Sequence, residues 1–336
     1  MERPTDRRLA AAWHLTWLVP AAFLIWHAMR YAFVTDDAFI SFVYARNLAE
    51  HGELVFNLGA DPVEGYSNFL WTILLALLIK LGIGPEVSSQ VMGVGFGIGT
   101  LYLAARIVRD LGDDRPSPWD AMAPSLLALT AGFACWSSGG LETQMFTFWV
   151  TLAIRYFLLA DRKPRTMRWV GLFIGLASLT RPEGMLVGIV VGLHRVALSA
   201  ARERRWLPRP DDLVGAAIAI GLVGAHLAFR WLYYGHPLPN TYYIKAAGDT
   251  TAAYDKALWS GGWHYLGQWA RQSGALVAAP IAFCGALVAR LRSPRFYFGS
   301  LAVALTVVYA VYVASVGGDF MGLHRFVMPL FVLVAL

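Results

Sequence analysis

The chain has 336 residues, of which 57% are hydrophobic and 15% are charged, and its mean hydropathy is +0.51. This composition excludes an ordinary soluble globular protein and is typical of a polytopic membrane protein. The net charge of +6 does not indicate a nucleic-acid partner, because the basic residues fall in short clusters between apolar segments, where they set membrane orientation. We therefore predict an all-α polytopic protein whose partner is the lipid bilayer.

The first apolar segment, residues 9–34, is longer than the roughly 20 residues that cross a bilayer. It follows the basic residues Arg3, Arg7 and Arg8, which favour a cytoplasmic N-terminus. No short apolar region with a small-residue cleavage site is present, so we predict an uncleaved membrane anchor.

An acidic pair, Asp36 and Asp37, follows this anchor at the start of a polar, aromatic-rich stretch that continues to residue 68. Either the pair caps a helix that runs into FISFVYARNLAE, or one carboxylate acts as a base. A cap can also be a base, and the sequence alone leaves both interpretations open.

Basic clusters between the later apolar segments predict which loops face the cytoplasm. The apolar segments lie near residues 9–34, 69–81, 86–108, 120–136, 142–160, 168–180, 184–200, 212–234, 274–289, 296–316 and 326–336. The basic clusters lie near residues 106–115, 162–168, 202–209 and 290–295. This arrangement puts nearly all remaining acidic residues in external segments, including a long one from 234 to 274.

Segment 69–81 is predicted not to cross the membrane. Three apolar segments separate the N-terminus from the first basic cluster, although an even number of crossings is needed to keep both in the cytoplasm. With about 13 residues, segment 69–81 is too short for a hydrocarbon core of about 30 Å. We predict a helix that lies in the outer interface.

The chain is predicted to form one transmembrane domain over residues 1–336. We expect about ten spans, of which the last is incomplete, because residues 326–336 are too few to cross. We also expect a C-terminal external domain beyond them.

Residues 93–99, GVGFGIG, contain overlapping Gly-x-x-x-Gly pairs inside an apolar segment. Close helix packing explains this pattern better than a dinucleotide site, which requires a preceding strand. The eight histidines lack metal-ligand spacing, and neither Cys135 nor Cys284 has a second ligand nearby. We therefore predict neither a metal nor a cofactor.

Three ionisable residues lie at the predicted outer ends of later spans. Glu142 follows SSGG, where the helix dipole favours a carboxylate whether or not it has a function. Arg181 and Glu183 flank Pro182 at a helix break. An ionisable pair at this depth is either a functional site or an internal ion pair that fixes the break.

Two external stretches combine aromatic, amide and charged side chains. Residues 230–245, RWLYYGHPLPNTYYIK, place more tyrosines beside Asn240 and Lys245 than an aromatic belt requires, which favours sugar binding. Residues 317–325, GGDFMGLHR, offer one carboxylate and two adjacent cationic groups, which suit a phosphate oxyanion.

These features resemble the membrane glycosyltransferases of the GT-C superfamily, with an acidic pair after the first span and a short interfacial helix in the first external loop. From about residue 31 to the end, six separated motifs resemble the actinobacterial terminal β-(1→2) arabinofuranosyltransferase family, whose members are longer. The motifs are DDAFISFVYARNLAEHGELVFN, VEGYSNFLW, GLETQMF, LTRPEG, YYGHPLPNTYYIKA and GGDFMGLHRFVMPL.

The resemblance implies transfer of arabinofuranose from decaprenyl phosphate to a hydroxyl of a cell-envelope polysaccharide, on the external face of the plasma membrane. A polyprenyl phosphate is a good leaving group, so the reaction needs a base for the acceptor and cations for the phosphate. The expected base is Asp36, with Asp37 next. The expected substrate-binding residues are Tyr66, Asn68, Glu142, Arg181, Glu183, Asn240, Tyr242, Tyr243, Lys245, Asp319, His324 and Arg325, of which Arg325, His324, Lys245 and Arg181 are the candidate phosphate partners.

Two other classes of function remain open. A transporter or flippase for a lipid-linked sugar would also be polytopic, but it should show internal repeats and ionisable residues near the membrane midplane, and neither is clear in the sequence. A non-catalytic sugar-binding assembly subunit would tolerate loss of both Asp36 and Asp37.

Overall fold

The structure, a computed structural model, describes residues 4–112, 116–240, 252–289 and 293–336. These residues form fourteen α-helices, three short 3-10 helices and no strand. The α-helices are α1 Pro4–Tyr31, α2 Asp36–His51, α3 Phe69–Lys80, α4 Pro85–Leu111, α5 Met122–Leu129, α6 Ala131–Ser138, α7 Thr143–Leu159, α8 Met167–Thr180, α9 Glu183–Glu203, α10 Pro210–Tyr234, α11 Ala252–Gln272, α12 Ala275–Val288, α13 Pro294–Ser315 and α14 Met328–Ala335.

Several of these helices have the length and composition of membrane spans. Among the described residues, α4, α9, α10 and α13 can each cross a membrane, and the number rises from 4 to 6 if each of two bent helix pairs is one span. The chain is thus a multi-pass, all-α membrane protein, as its composition predicted. The predicted number of about ten spans stays a prediction.

The chain turns sharply between α1 and α2, whose axes differ by 99°. Thr35 has an extended backbone, and Asp36 and Asp37 occupy the first turn of α2, where the helix dipole favours negative charge. Phe42 and its neighbours on one face of α2 are buried, and the helix ends at Gly52 in the left-handed conformation. The acidic pair therefore starts a helix that runs across the end of α1.

The short apolar segment predicted to lie in the interface forms α3. This helix has 12 residues, or about 18 Å of length, which is less than a hydrocarbon core. Trp71 and Leu75 are fully buried, and α3 packs mainly against α2. Its place relative to the membrane stays a prediction, although its length agrees with it.

Glycines of α4 permit close helix packing, as the Gly-x-x-x-Gly pattern predicted. A Cβ atom on Gly93 would clash with the carbonyl oxygen of Ser137 on α6, and one on Gly99 would lie 2.7 Å from the ring of Phe148 on α7. Gly95, in contrast, faces open space. The packing interpretation is confirmed for Gly93 and Gly99.

One predicted segment differs from the structure, and another contains a helix. The apolar segment at 120–136 is not one continuous helix, because the chain bends by 65° at Thr130 between α5 and α6. The external segment at 234–274 contains the helix α11, whose Gly262 lies close to the backbone of Ala314 on α13. The extended backbone of Thr130 breaks the first segment, whereas the helix in the second leaves its predicted external placement a prediction.

Candidate active site

A turn of two glycines supports the start of α2. The Thr35 N–H donates to the Gly139 carbonyl oxygen at 3.2 Å. Gly140 has φ of 84°, and a Cβ atom there would lie 3.1 Å from the Cβ of Ala38. The glycines after α6 thus let the acidic end of α2 rest directly on the turn that leads to Glu142.

The two acidic residues of α2 have different surroundings. Asp36 is exposed, and its Oδ1 accepts the Asp37 N–H at 2.9 Å and the Thr35 hydroxyl at 3.1 Å. The Asp37 carboxylate, 38% exposed, lies 3.6 Å from Nη2 of Arg325. Successive helix residues point about 100° apart, so only one of the pair can meet Arg325.

Arg325 is held by a second, buried carboxylate. Its Nε donates to Oδ2 of Asp319 at 2.6 Å, and the Asp319 side chain is only 2% exposed. The guanidinium also lies over the rings of Trp136 and Phe326, at 5.6 and 5.5 Å from their centroids. Arg325 therefore has a fixed place between Asp319 and the half-exposed Asp37.

The segment that carries Asp319 and Arg325 has an unusual backbone. Gly317 and Gly318 both have positive φ, and Leu323 and His324 each have φ of 59°, in the left-handed region that costs non-glycine residues energy. The indole N–H of Trp136 donates to the Gly322 carbonyl oxygen at 3.2 Å. Contacts with α6 thus hold this segment in an otherwise unfavourable conformation.

His324 is partly enclosed in the structure. Burial lowers the pKa of its imidazole, which disfavours the charged form. Its Nε2 lies 2.9 Å from Oε1 of Gln272, and its Nδ1 has no hydrogen-bond partner among the residues that the structure describes. The predicted role of His324 as a phosphate partner stays a prediction, and burial makes Arg325 the stronger cation of the two.

A buried network joins α2, α3, α7 and the break between α8 and α9. Arg181 donates to Glu142 at 3.0 Å and to Glu183 at 2.9 Å. Asn68 donates to the other oxygen of Glu142 at 2.8 Å and accepts from the Ser41 hydroxyl at 3.1 Å. The ion pair at the helix break is thus present, and Arg181 already faces two carboxylates.

The side chains of this network are held in place by hydrogen bonds to one another. The residues Asn68, Glu142, Arg181 and Glu183 are all buried, with their polar atoms bonded to one another. Each of these groups is already oriented by a partner inside the network. Their predicted binding roles stay predictions, and the geometry favours support of α2.

The loop between α2 and α3 is fastened to the end of α10. Glu64 pairs with Arg230 at 2.9 Å, and both side chains are buried. Burial raises the pKa of Glu64 to about 7, and the charge of Arg230 opposes this shift. Tyr66 is buried, with its hydroxyl 3.2 Å from that of Tyr234. Tyr66, predicted to bind substrate, thus lies within the contact between this loop and α10, and its binding role stays a prediction.

The remaining predicted residues lie in or beside an undescribed stretch. The side chain of Asn240 is exposed, and its backbone N–H donates to the Glu64 carbonyl oxygen at 2.9 Å. Tyr242, Tyr243 and Lys245 lie outside the described residues. Within the described ranges, no group of three or more His, Cys, Asp or Glu residues could hold a metal ion.

Sequence reasoning missed the aromatic and anchoring residues of the site. Trp136 and Gln272 contact the segment that carries Arg325, and Glu64 and Arg230 form a buried pair. Trp136 lies directly before the SSGG stretch, which was a usable signal. The other three have no local pattern, because their partners are distant in the chain.

No protein-family model matches the chain. The chain is 25% identical, over 94% of its length, to a terminal β-(1→2)-arabinofuranosyltransferase of Corynebacterium glutamicum, of which it covers 49%. It is 26% identical, over 92% of its length, to the protein of the same name in Mycobacterium tuberculosis, of which it covers 53%. The chain therefore spans about half the length of these relatives, and the resemblance read from its six motifs is confirmed.

The chain also resembles a solved membrane-protein structure. It matches the crystal structure of ArnT from Cupriavidus metallidurans bound to undecaprenyl phosphate, with a TM-score of 0.66 and 13% sequence identity. The match covers 96% of the chain and 59% of ArnT. The predicted GT-C-type helical membrane fold is confirmed by this match.

Proposed function

We propose that residues 1–336 form the transmembrane catalytic part of a glycosyltransferase that moves arabinofuranose from a polyprenyl phosphate to a hydroxyl of a cell-envelope polysaccharide. The observation that carries this is the Asp37 carboxylate, half-exposed and 3.6 Å from the anchored Arg325. Support comes from two relatives named arabinofuranosyltransferases and from the fold of ArnT, which was solved with undecaprenyl phosphate.

Asp37 is the base in this mechanism. It takes the proton of the acceptor hydroxyl, whose oxygen forms the new bond to the anomeric carbon. The bond between that carbon and the phosphate oxygen breaks, and its electron pair leaves with the polyprenyl phosphate. A phosphate needs no proton to depart, so one ionised carboxylate is sufficient.

Arg325 stabilises the phosphate in this scheme. Its guanidinium offers a planar set of donors that matches phosphate oxygens. Hydrogen bonds between the two charged groups are stronger in a site shielded from water. The buried Asp319 fixes Nε of Arg325 at 2.6 Å, so the side chain does not have to reorganise when the donor binds. The donor then competes with Asp37 for the Nη atoms.

Asp36, ranked first from the sequence, has a weaker position for this role. Its carboxylate is bonded to the first turn of its own helix, and no contact with Arg325 is recorded for it among the described residues. Asp37 lies 3.6 Å from Arg325, the proposed phosphate-binding residue. An acceptor hydroxyl bound to Asp37 is therefore close to the donor phosphate. Proximity of this kind is worth several orders of magnitude in rate.

The reaction is on the external face of the plasma membrane, where both the lipid-linked sugar and the polysaccharide are available. This placement rests on the basic clusters, which put the α2, Glu142 and Asp319 segments opposite the cytoplasm.

The test uses the protein reconstituted in membranes with a synthetic polyprenyl-phosphate arabinose and an oligoarabinoside. An acceptor product heavier by one pentose, with release of polyprenyl phosphate, supports the proposal. Movement of the intact lipid-linked sugar across the membrane without transfer would instead indicate a flippase. Binding of the oligoarabinoside without either event would indicate an assembly subunit.

A further inference from the structure

An apolar groove lies between the helices α8, α9 and α10. Its volume is about 570 Å³, and its lining is almost entirely apolar, with Ile174, Val191 and Leu227 among its residues. Ligand pockets in proteins have volumes of roughly 300–1,000 Å³. The groove therefore has the size and polarity of a site for one apolar chain.

Glycines create the groove. Gly171 on α8 lies against the backbone of Gly215 on α10, which brings these two helices very close. Gly192 on α9 and Gly224 on α10 also line the groove, and a Cβ atom on either would meet nothing within 4 Å. The space between α9 and α10 is thus left open because Gly192 and Gly224 have no side chains to fill it.

One end of the groove carries an ion pair, Arg195 with Asp212, and both residues line it. Arg195, 6% exposed, lines it and bonds to Asp212 at 3.3 Å and to the Tyr297 hydroxyl at 2.8 Å. Its Nη2 is buried and has no partner in the part of the chain that the structure describes. A buried guanidinium nitrogen without an acceptor is costly, and an anionic oxygen would satisfy it.

An exposed arginine lies at the same end. Arg205 donates to the carbonyl oxygens of Leu207 and Pro208, two residues that line the groove. Interfacial arginines on the cytoplasmic side attract anionic lipid headgroups. We propose that the groove binds an acyl chain of an anionic phospholipid, with its phosphate at the end marked by Arg195 and Arg205.

The position of the cations argues against the polyprenyl phosphate as occupant. Arg195 follows Glu183 by about 18 Å along α9, at the helix end away from the candidate active site. A donor lipid held here would have its phosphate on the wrong side for Arg325. The opposite end of the groove is lined by Ser178 and Met185, which carry no charge.

The experiment measures lipid retention by the full chain. Protein is reconstituted in nanodiscs with equal amounts of phosphatidylglycerol and phosphatidylcholine that carry the same acyl chains, then extracted gently and analysed by native mass spectrometry. Gly224→Leu fills the groove. Gly221→Leu is the matched control, because it lies on the same helix with nothing within 4 Å of its Cβ and does not line the groove.

Phosphatidylglycerol should be the retained lipid, and Gly224→Leu should lower its retention about tenfold or more while Gly221→Leu leaves it unchanged. Arg205→Gln should reduce the preference for phosphatidylglycerol over phosphatidylcholine. If Gly224→Leu fails to fold by circular dichroism, Gly192→Leu blocks the groove from α9 instead. Lipid retention needs no transfer assay, so its result is separate from the proposed reaction.

Three outcomes would overturn the proposal. Equal losses in Gly224→Leu and Gly221→Leu would show that the groove does not hold the lipid. Equal retention of the two phospholipids would indicate nonselective lipid contact. Retention of added polyprenyl phosphate in place of phosphatidylglycerol by the unchanged chain, with loss of that retention in Gly224→Leu, would assign the groove to polyprenyl phosphate.

Discussion

Asp37→Asn is the substitution that tests the proposed base most directly. Asparagine has nearly the same shape as aspartate but cannot take a proton from the acceptor hydroxyl. A positioned base contributes about 10² to 10⁴ in rate, or about 3 to 5 kcal/mol of activation free energy. We expect transfer by Asp37→Asn to fall by this factor.

The structural cost of the same substitution is small. The Asp37 carboxylate is 38% exposed and lies 3.6 Å from Arg325, and an ion pair of this kind contributes at most about 1 kcal/mol. A free energy of this size changes an equilibrium constant roughly fivefold. A loss of a hundredfold therefore requires a chemical role, and donor binding should remain within about fivefold of normal.

Asp36→Asn is the matched control. Its amide oxygen can still accept the Asp37 N–H and the Thr35 hydroxyl, so the start of α2 is kept. We expect a loss below about tenfold, measured as pentose transfer in a single turnover at saturating donor. Near-normal transfer by Asp37→Asn together with a large loss in Asp36→Asn would make Asp36 the base, and near-normal transfer by both would remove the pair from the chemistry.

Three further experiments test donor binding, stability and topology. Arg325→Lys should weaken binding of the lipid-phosphate donor about tenfold, or about 1.4 kcal/mol, because an ammonium group cannot contact Asp319 and also present a fork to phosphate; an unchanged donor titration would contradict this. Arg181→Met should lower the free energy of unfolding by about 3 to 5 kcal/mol, because two buried carboxylates lose their cation, and an unchanged thermal midpoint in detergent would refute it. Cysteines placed at Asn57 and Gly84 in a cysteine-free background should both react with an impermeant reagent from outside, whereas reaction at Asn57 alone would mean that α3 crosses the membrane.

The sequence by itself determined the class of protein, the short helix α3 and the packing role of Gly93 and Gly99. These properties depend on composition and on local periodicity, which a single segment carries. Local signals also indicated that Asp36 and Asp37 begin a helix. The motifs indicated the arabinofuranosyltransferase resemblance, because each is a short run of residue types that one segment carries by itself.

Only the tertiary structure decided which polar groups face one another. Asp37 and Asp319 meet Arg325, and Glu142 and Glu183 meet Arg181, across segments that are distant in the sequence. Burial also changes the chemistry of single groups, as in the lowered pKa of His324. Hydropathy and spacing report on one segment at a time, whereas ion pairing and desolvation depend on what the other helices bring to the same place.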